Sequence, residues 1–148
     1  MNMDSDIRVG VDGNLSKLYN DLKERGVIKD FHELFFFLAC IGFRNKYKQP
    51  LKKKEDKFWS KTIKPREWTC YYSMILETHD FDIDSISNDN KVIREIEEYA
   101  NGGFNIAYKD FLGDFITKAN GEYRLITSSD DAELMFNFIN YIYEKVSI

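Results

Sequence analysis

The residues of this 148-residue chain that could do chemistry are two histidines, His32 and His79, two cysteines, Cys40 and Cys70, and the tripeptide Glu55-Asp56-Lys57. A structural zinc site needs ligands at paired spacing, and these four residues have none. Cys40 lies in the most hydrophobic segment of the chain, where a thiol is inert packing, and Cys70 sits between Thr69 and Tyr71. Neither histidine lies near a glycine-rich turn or a nucleophile elbow. Glu55 and Lys57 have the Glu-x-Lys spacing of some metal-dependent nucleases, but no upstream acidic partner stands out. The run His79-Asp80-Phe81-Asp82-Ile83-Asp84 fails as a calcium loop. Counted from Asp80, the sixth residue is Ser85 where glycine is required, and the twelfth is Lys91 where glutamate is required. Phe81, Ile83 and Ile86 are expected instead to form an edge packed on the core. There is no Walker loop and no dinucleotide fingerprint. No catalytic residue, metal or cofactor is assigned, and a non-enzymatic protein is expected. A small metal-dependent nuclease is the enzymatic alternative, and it would depend on Glu55.

Charge is more informative. Arg44, Lys46, Lys48, Lys52, Lys53, Lys54, Lys57, Lys61, Lys64 and Arg66 are opposed within that stretch only by Glu55 and Asp56, giving +8 in a chain whose net charge is −4. Residues 68–148 hold six basic and fifteen acidic residues. A local positive field attracts polyanions whatever the global charge. Phe58 and Trp59 add rings on which unstacked bases could lie. Arg44, Lys46, Lys48, Lys52, Lys53, Lys54, Lys57, Trp59, Lys61, Lys64 and Arg66 are therefore the candidate contacts to nucleic acid or to an acidic partner. A solvated loop whose lysines balance the acidic half is the alternative. The stretch lacks a period and is expected to be a loop or extended segment, which at this length is functional or disordered.

The surrounding elements are mostly helical. Ile7, Val9 and Val11 alternate with polar residues as in a short strand. Leu15, Leu18, Tyr19 and Leu22 mark a first helix, capped by Asn14 and ended by Gly26. A second runs from near Asp30 to Gly42 and is apolar on every face, as suits a central element or one covered by a partner subunit. Pro65 opens a third, with Trp68, Tyr71, Tyr72, Ile75 and Leu76. Val92, Ile93, Ile96, Tyr99 and Ala100 form a fourth, expected to stop at Asn101-Gly102-Gly103. A fifth carries Phe104 to Phe115. Asn120-Gly121 is a turn beside a short strand at Tyr123 to Ile126. A sixth helix, capped by Ser129 or Asp130, carries Met135, Phe138, Ile139, Ile142 and Val146. The expected fold is thus mainly α, a single domain over residues 1–148 built as a compact bundle of about six helices with a short N-terminal strand, minor β structure and a basic loop at 44–66. At 43% hydrophobic residues the chain can bury a core without disulfides or metal. The acidic, polar start Met1-Asn2-Met3-Asp4-Ser5-Asp6 predicts no signal peptide. With no apolar run long enough for a bilayer, a cytoplasmic protein with no membrane partner is expected.

The order strand, helix, turn, helix at the N-terminus is also that of a ribbon-helix-helix regulator. Such proteins dimerise through the strand and lay it in the major groove. The ribbon would be Asp6 to Val11, with Arg8 its plausible base reader and the Phe-rich second helix in the dimer core.

Two segments together resemble a known family. Phe36-Phe37-Leu38-Ala39-Cys40-Ile41-Gly42-Phe43-Arg44-Asn45-Lys46 with Pro50-Leu51, and Ile96-Glu97-Glu98-Tyr99-Ala100-Asn101-Gly102-Gly103, look like the small accessory proteins associated with bacterial DNA phosphorothioation. Those systems replace a backbone oxygen of DNA with sulfur and use the mark in defence against foreign DNA. The resemblance spans roughly residues 7 to 112 and supplies no catalytic residues. It implies an accessory or adaptor role in DNA modification or anti-phage defence. Other defence-system proteins would be the partners, with DNA a candidate ligand and a homodimer through the N-terminal strand and the Phe-rich helix a candidate assembly. A purely protein-binding scaffold is the remaining alternative.

Overall fold

In the computed structural model, which describes residues 6–128 and 130–146, the organising contact is a crossing of two helices, α2 (Phe31–Arg44) and α4 (Asp89–Asp110). α2 presents Leu34, Phe35, Leu38, Ala39, Ile41 and Gly42 to the interior. α4 answers with Val92, Ile93, Ile96, Tyr99, Ala100, Gly103, Phe104 and Ala107. Against this pair pack α1 (Ser16–Glu24), α3 (Pro65–Thr78) and α5 (Asp131–Val146). Two small antiparallel sheets complete the described chain: β1 (Arg8–Asp12) with β2 (Lys54–Trp59), and the hairpin β3 (Ile116–Ala119) with β4 (Glu122–Leu125). The protein is mainly helical with minor β structure.

Local chemistry explains most boundaries. Gly26, at φ +76°, ends α1, and the Val27 N–H donates back to the Leu22 carbonyl at 2.9 Å. The Asp30 N–H is taken by Glu33 Oε1 at 3.0 Å at the start of α2, and the Lys64 N–H by Glu67 Oε1 at 2.9 Å at the start of α3. Asn120 and Gly121 both have positive φ, as a tight hairpin turn requires. Asp130 Oδ1 accepts from the Ala132 and Glu133 N–H groups and caps α5. The alternative cap, Ser129, and the Val146 side chain lie outside the described residues.

Five expectations need correction. Asn14 does not cap α1: the helix is entered from a 3-10 turn at Gly13–Leu15, and the buried Asn14 Oδ1 has no hydrogen-bond partner among the described residues. Asn101-Gly102-Gly103 does not stop a helix: α4 runs through it for 22 residues, so the expected fourth and fifth helices are one, and the bundle of about six has five α-helices among the described residues. These glycines are there for proximity. A Cβ on Gly103 would lie 1.7 Å from the Leu38 carbonyl oxygen, and one on Gly42 would lie 2.0 Å from that of Tyr99. The basic stretch is not one loop, because Lys54–Trp59 pairs with Arg8–Asp12 as β2, with a bulge between Val9 and Gly10. The same pairing corrects the ribbon and strand-mediated dimer readings. β1 finds its partner within its own chain, and the Gly10 N–H donates to Glu97 Oε2 on α4 at 2.8 Å. Finally, Phe81 and Ile83 do not pack on the core: they are 68% and 74% exposed, and of that trio only Ile86 rests against it.

Candidate functional site

The fold sorts the basic residues into two groups. Lys48, Lys54 and Lys57 are held internally. Lys54 Nζ lies 2.8 Å from Glu97 Oε2, and Lys48 Nζ lies 3.5 Å from Glu95. Lys57 Nζ donates to Ser16 O, Ser16 Oγ and Asn20 Oδ1 at 3.0, 3.0 and 2.6 Å, which uses all three ammonium protons. Burial lowers the pKa of Lys57, and its ammonium also sits 4.6 Å from the Phe31 ring centre. That leaves Lys57 no free donor for a phosphate or a scissile bond, and the Glu-x-Lys nuclease reading loses its lysine.

The other seven, Arg44, Lys46, Lys52, Lys53, Lys61, Lys64 and Arg66, are exposed and form no ion pair among the described residues. They do not form one patch. Lys52 and Lys53 precede β2, where Asp12 accepts from their backbone N–H groups. Lys61 follows β2, in a single 3-10 turn at Ser60–Thr62. The six residues of the strand hold these two ends about 20 Å apart. Lys64 and Arg66 flank Pro65 at the start of α3, and Arg44 ends α2. Trp59 is exposed on β2 with the Arg8 guanidinium 4.5 Å from its ring centre, while Phe58 faces inward.

Sequence reasoning missed Lys29. It shares one open depression with Lys64 and Arg66, whose walls also include His32 and Glu67. Lys29 lies in a different part of the chain, and no local pattern signals the juxtaposition. Within the depression, His32 Nδ1 is 3.0 Å from Glu67 Oε1. Asp30, His32 and Glu33 bring potential metal-ligand atoms within 4.8 Å of one another. Asp30 and Glu33 are already tied to the α2 N-terminus.

Beneath the surface charges, the two segments that carry the family resemblance touch along their length. Gly42 lies on Tyr99 and Leu38 on Gly103. Tyr47 O would clash with a Cβ on Gly102, at 2.2 Å. Asn101 Nδ2 donates to Gln49 O and Pro50 O at 3.1 and 3.3 Å, and the Gln49 N–H donates to Glu98 O at 3.0 Å. Burial raises the pKa of Glu97, and Lys54, the Gly10 N–H and Arg94 partly offset it. The shared segments therefore build one seam, which fixes the loop from Arg44 onward and the start of β2.

A family model, DNA sulphur modification system-associated protein 4, matches residues 7–133. The chain belongs to that family. The match takes in both resemblance segments and the hairpin and ends in the first turn of α5, so the family extends further along this chain than residue 112. No curated protein and no solved structure matches the chain. Members of the family are described by association with a DNA sulphur modification system, and that description names no reaction. No helix among the described residues is long and apolar enough to cross a membrane.

Proposed function

We propose that the protein is a non-enzymatic accessory module of a DNA sulphur modification system, acting in the cytoplasm in defence against foreign DNA. It works through contacts, with its exposed cations meeting DNA or an acidic surface of another protein of that system. The observation that carries this reading is the inventory of cations. In a family tied to DNA modification, seven of the ten basic residues between Arg44 and Arg66 are exposed and form no ion pair among the described residues.

DNA contact is favoured over a purely protein-binding scaffold by the spread of these cations. A separation of about 20 Å between Lys52-Lys53 and Lys61 spans several phosphates of a duplex. The test is binding to plain and phosphorothioated duplexes across a salt series. Lys52→Glu/Lys53→Glu is the informative variant, since Lys54 and Lys57 hold the fold together and should be left in place. Affinity is expected to fall with salt, and the log–log slope to shrink by about 0.9 for each phosphate that the variant no longer neutralises. A preference for the sulfur-bearing duplex would tie the contact to the mark. No binding at low salt would overturn DNA contact and leave an adaptor that docks on acidic protein.

A further inference from the structure

Helix α5 is apolar over more of its circumference than the core uses. Leu134, Phe138 and Tyr141 face inward. Phe138 lies 5.3 Å from Phe37 and 5.1 Å from Phe111 between ring centres, and the Tyr141 hydroxyl donates to Asp110 Oδ2 at 2.9 Å. Met135, Phe136, Ile139, Ile142 and Tyr143 occupy the neighbouring arc and are all exposed, Phe136 by 65% and Tyr143 by 69%. At 3.6 residues per turn the two arcs together cover roughly 220° of the helix, against the ~100° stripe of an ordinary surface helix. Glu133, Asn137, Asn140 and Glu144 take the remainder.

This exposed face continues into a groove of about 420 Å³ between α5 and the end of α1, lined by Val27, Ile28, Phe37, Met135, Phe138 and Ile139. The five exposed side chains alone present about 500 Å², which is at the upper limit for a patch on a monomer. With the groove and a polar rim, the surface approaches the ~800 Å² per partner of a stable complex.

The area of the face matches one half of a symmetric interface, and the spacing of its five residues is compatible with a second copy of the same helix. Met135, Phe136, Ile142 and Tyr143 lie at −4, −3, +3 and +4 from Ile139. That pattern is unchanged when the helix is reversed, so a second, antiparallel α5 matches it. We propose that the protein is a homodimer through α5, with two antiparallel helices crossing on a two-fold axis at Ile139. Met135 then lies level with the partner's Tyr143, and Phe136 with the partner's Ile142. Such an interface is isologous, and antiparallel helix dipoles favour it. Almost all of the face lies C-terminal to the family match, so the dimer would be a property of this chain's last helix.

Sedimentation equilibrium of the full chain tests the proposal. The expected mass is twice 17.5 kDa, falling toward 17.5 kDa on dilution. Ile139→Asp places like charges together on the axis and should weaken association by more than about 100-fold, with the circular dichroism spectrum unchanged because the side chain is exposed. Cysteine variants decide the matter should that variant misfold. Ile139→Cys should cross-link to itself under mild oxidation, whereas Asn140→Cys, on the polar side and retaining Cys40 and Cys70, should not. A monomer at every concentration, a dimer that survives Ile139→Asp, or equal cross-linking at 139 and 140 would overturn it.

Discussion

Replacing Gly103 with alanine tests the α2–α4 crossing on which every other element rests. Helix propensity alone would favour alanine by about 1 kcal/mol in a helix interior. The structure opposes it with a Cβ placed 1.7 Å from the Leu38 carbonyl oxygen, 2.7 Å from the Leu38 carbonyl carbon and 2.9 Å from the Gly42 nitrogen. All three are backbone atoms, so no rotamer change relieves the clash. A carbon–oxygen contact needs about 3.3 Å, and the seam must therefore open by about 1.6 Å. A gap of that size forfeits more than about half of the dispersion attraction across it, along a seam lined by Leu38, Ala39, Tyr99 and Ala100. Overpacking usually costs about 1–3 kcal/mol, and contact between two backbones sits at the top of that range. Less the propensity gain of about 1 kcal/mol, the expected net loss is about 2 kcal/mol, or roughly 4–8 °C in Tm for a chain of this size.

The assay is thermal unfolding followed by circular dichroism, with Gly121→Ala as the reference. Gly121 has φ +76°, and a Cβ added there has nothing within 4 Å, so alanine meets only backbone strain of about 1 kcal/mol. Gly103→Ala should be clearly the more damaging of the two. Equal, small losses would refute the crossing and restore a helix stop at Asn101-Gly102-Gly103, where both glycines would serve a turn. An alanine variant more stable than the parent would mean that the two helices do not touch at that point.

Two further outcomes follow from the packing. The Tyr71 hydroxyl is buried among Phe35, Phe36 and Trp68 with no hydrogen-bond partner among the described residues, so Tyr71→Phe should raise stability by about 1 kcal/mol, read by urea denaturation. A loss of stability instead would show that the hydroxyl is partnered. Asp21 anchors the hairpin: burial pushes its pKa up, but bidentate Arg124 and the Leu125 N–H outweigh this and hold it below its ordinary value of 3.8. A depressed carboxylate stabilises above its unfolded pKa and loses that contribution as pH falls through its folded one. Asp21→Asn should therefore lower Tm by a few degrees, about 2–4 °C, at neutral pH, and the difference should close as the pH falls below that ordinary value; a difference independent of pH would sink the assignment.

Much of this fold is legible from the chain because its signals are local. Gly26, Pro65 and Asn120-Gly121 mark boundaries through backbone dihedrals that their own residue types favour, and the structure places boundaries at each. The failures share one cause. Asn101-Gly102-Gly103 satisfies two physical demands equally well in sequence, a chain reversal needing positive φ and a helix surface needing no side chain. Only the partner helix distinguishes them, and it lies some sixty residues away. The absence of a recognisable period at Lys54–Trp59 has the same origin. β2 is a strand because β1 is there to pair with it, and its sequence Lys-Glu-Asp-Lys-Phe-Trp buries only Phe58 fully.

The same logic governs the charged residues, and with them the reading of function. In sequence the ten cations are one cluster, and any of them could meet a polyanion. The fold assigns Lys48 to Glu95, Lys54 to Glu97 and Lys57 to Ser16 and Asn20 of α1, and it brings Lys29 in from another part of the chain to stand with Lys64 and Arg66. A cation with three internal acceptors resists transfer to phosphate, because leaving them breaks three part-buried hydrogen bonds at once. Charge reversal across the whole stretch would therefore confound unfolding with loss of binding. Lys52, Lys53, Lys61, Lys64 and Arg66 are the positions where the two effects separate, since their side chains are exposed and hold no ion pair among the described residues that folding requires.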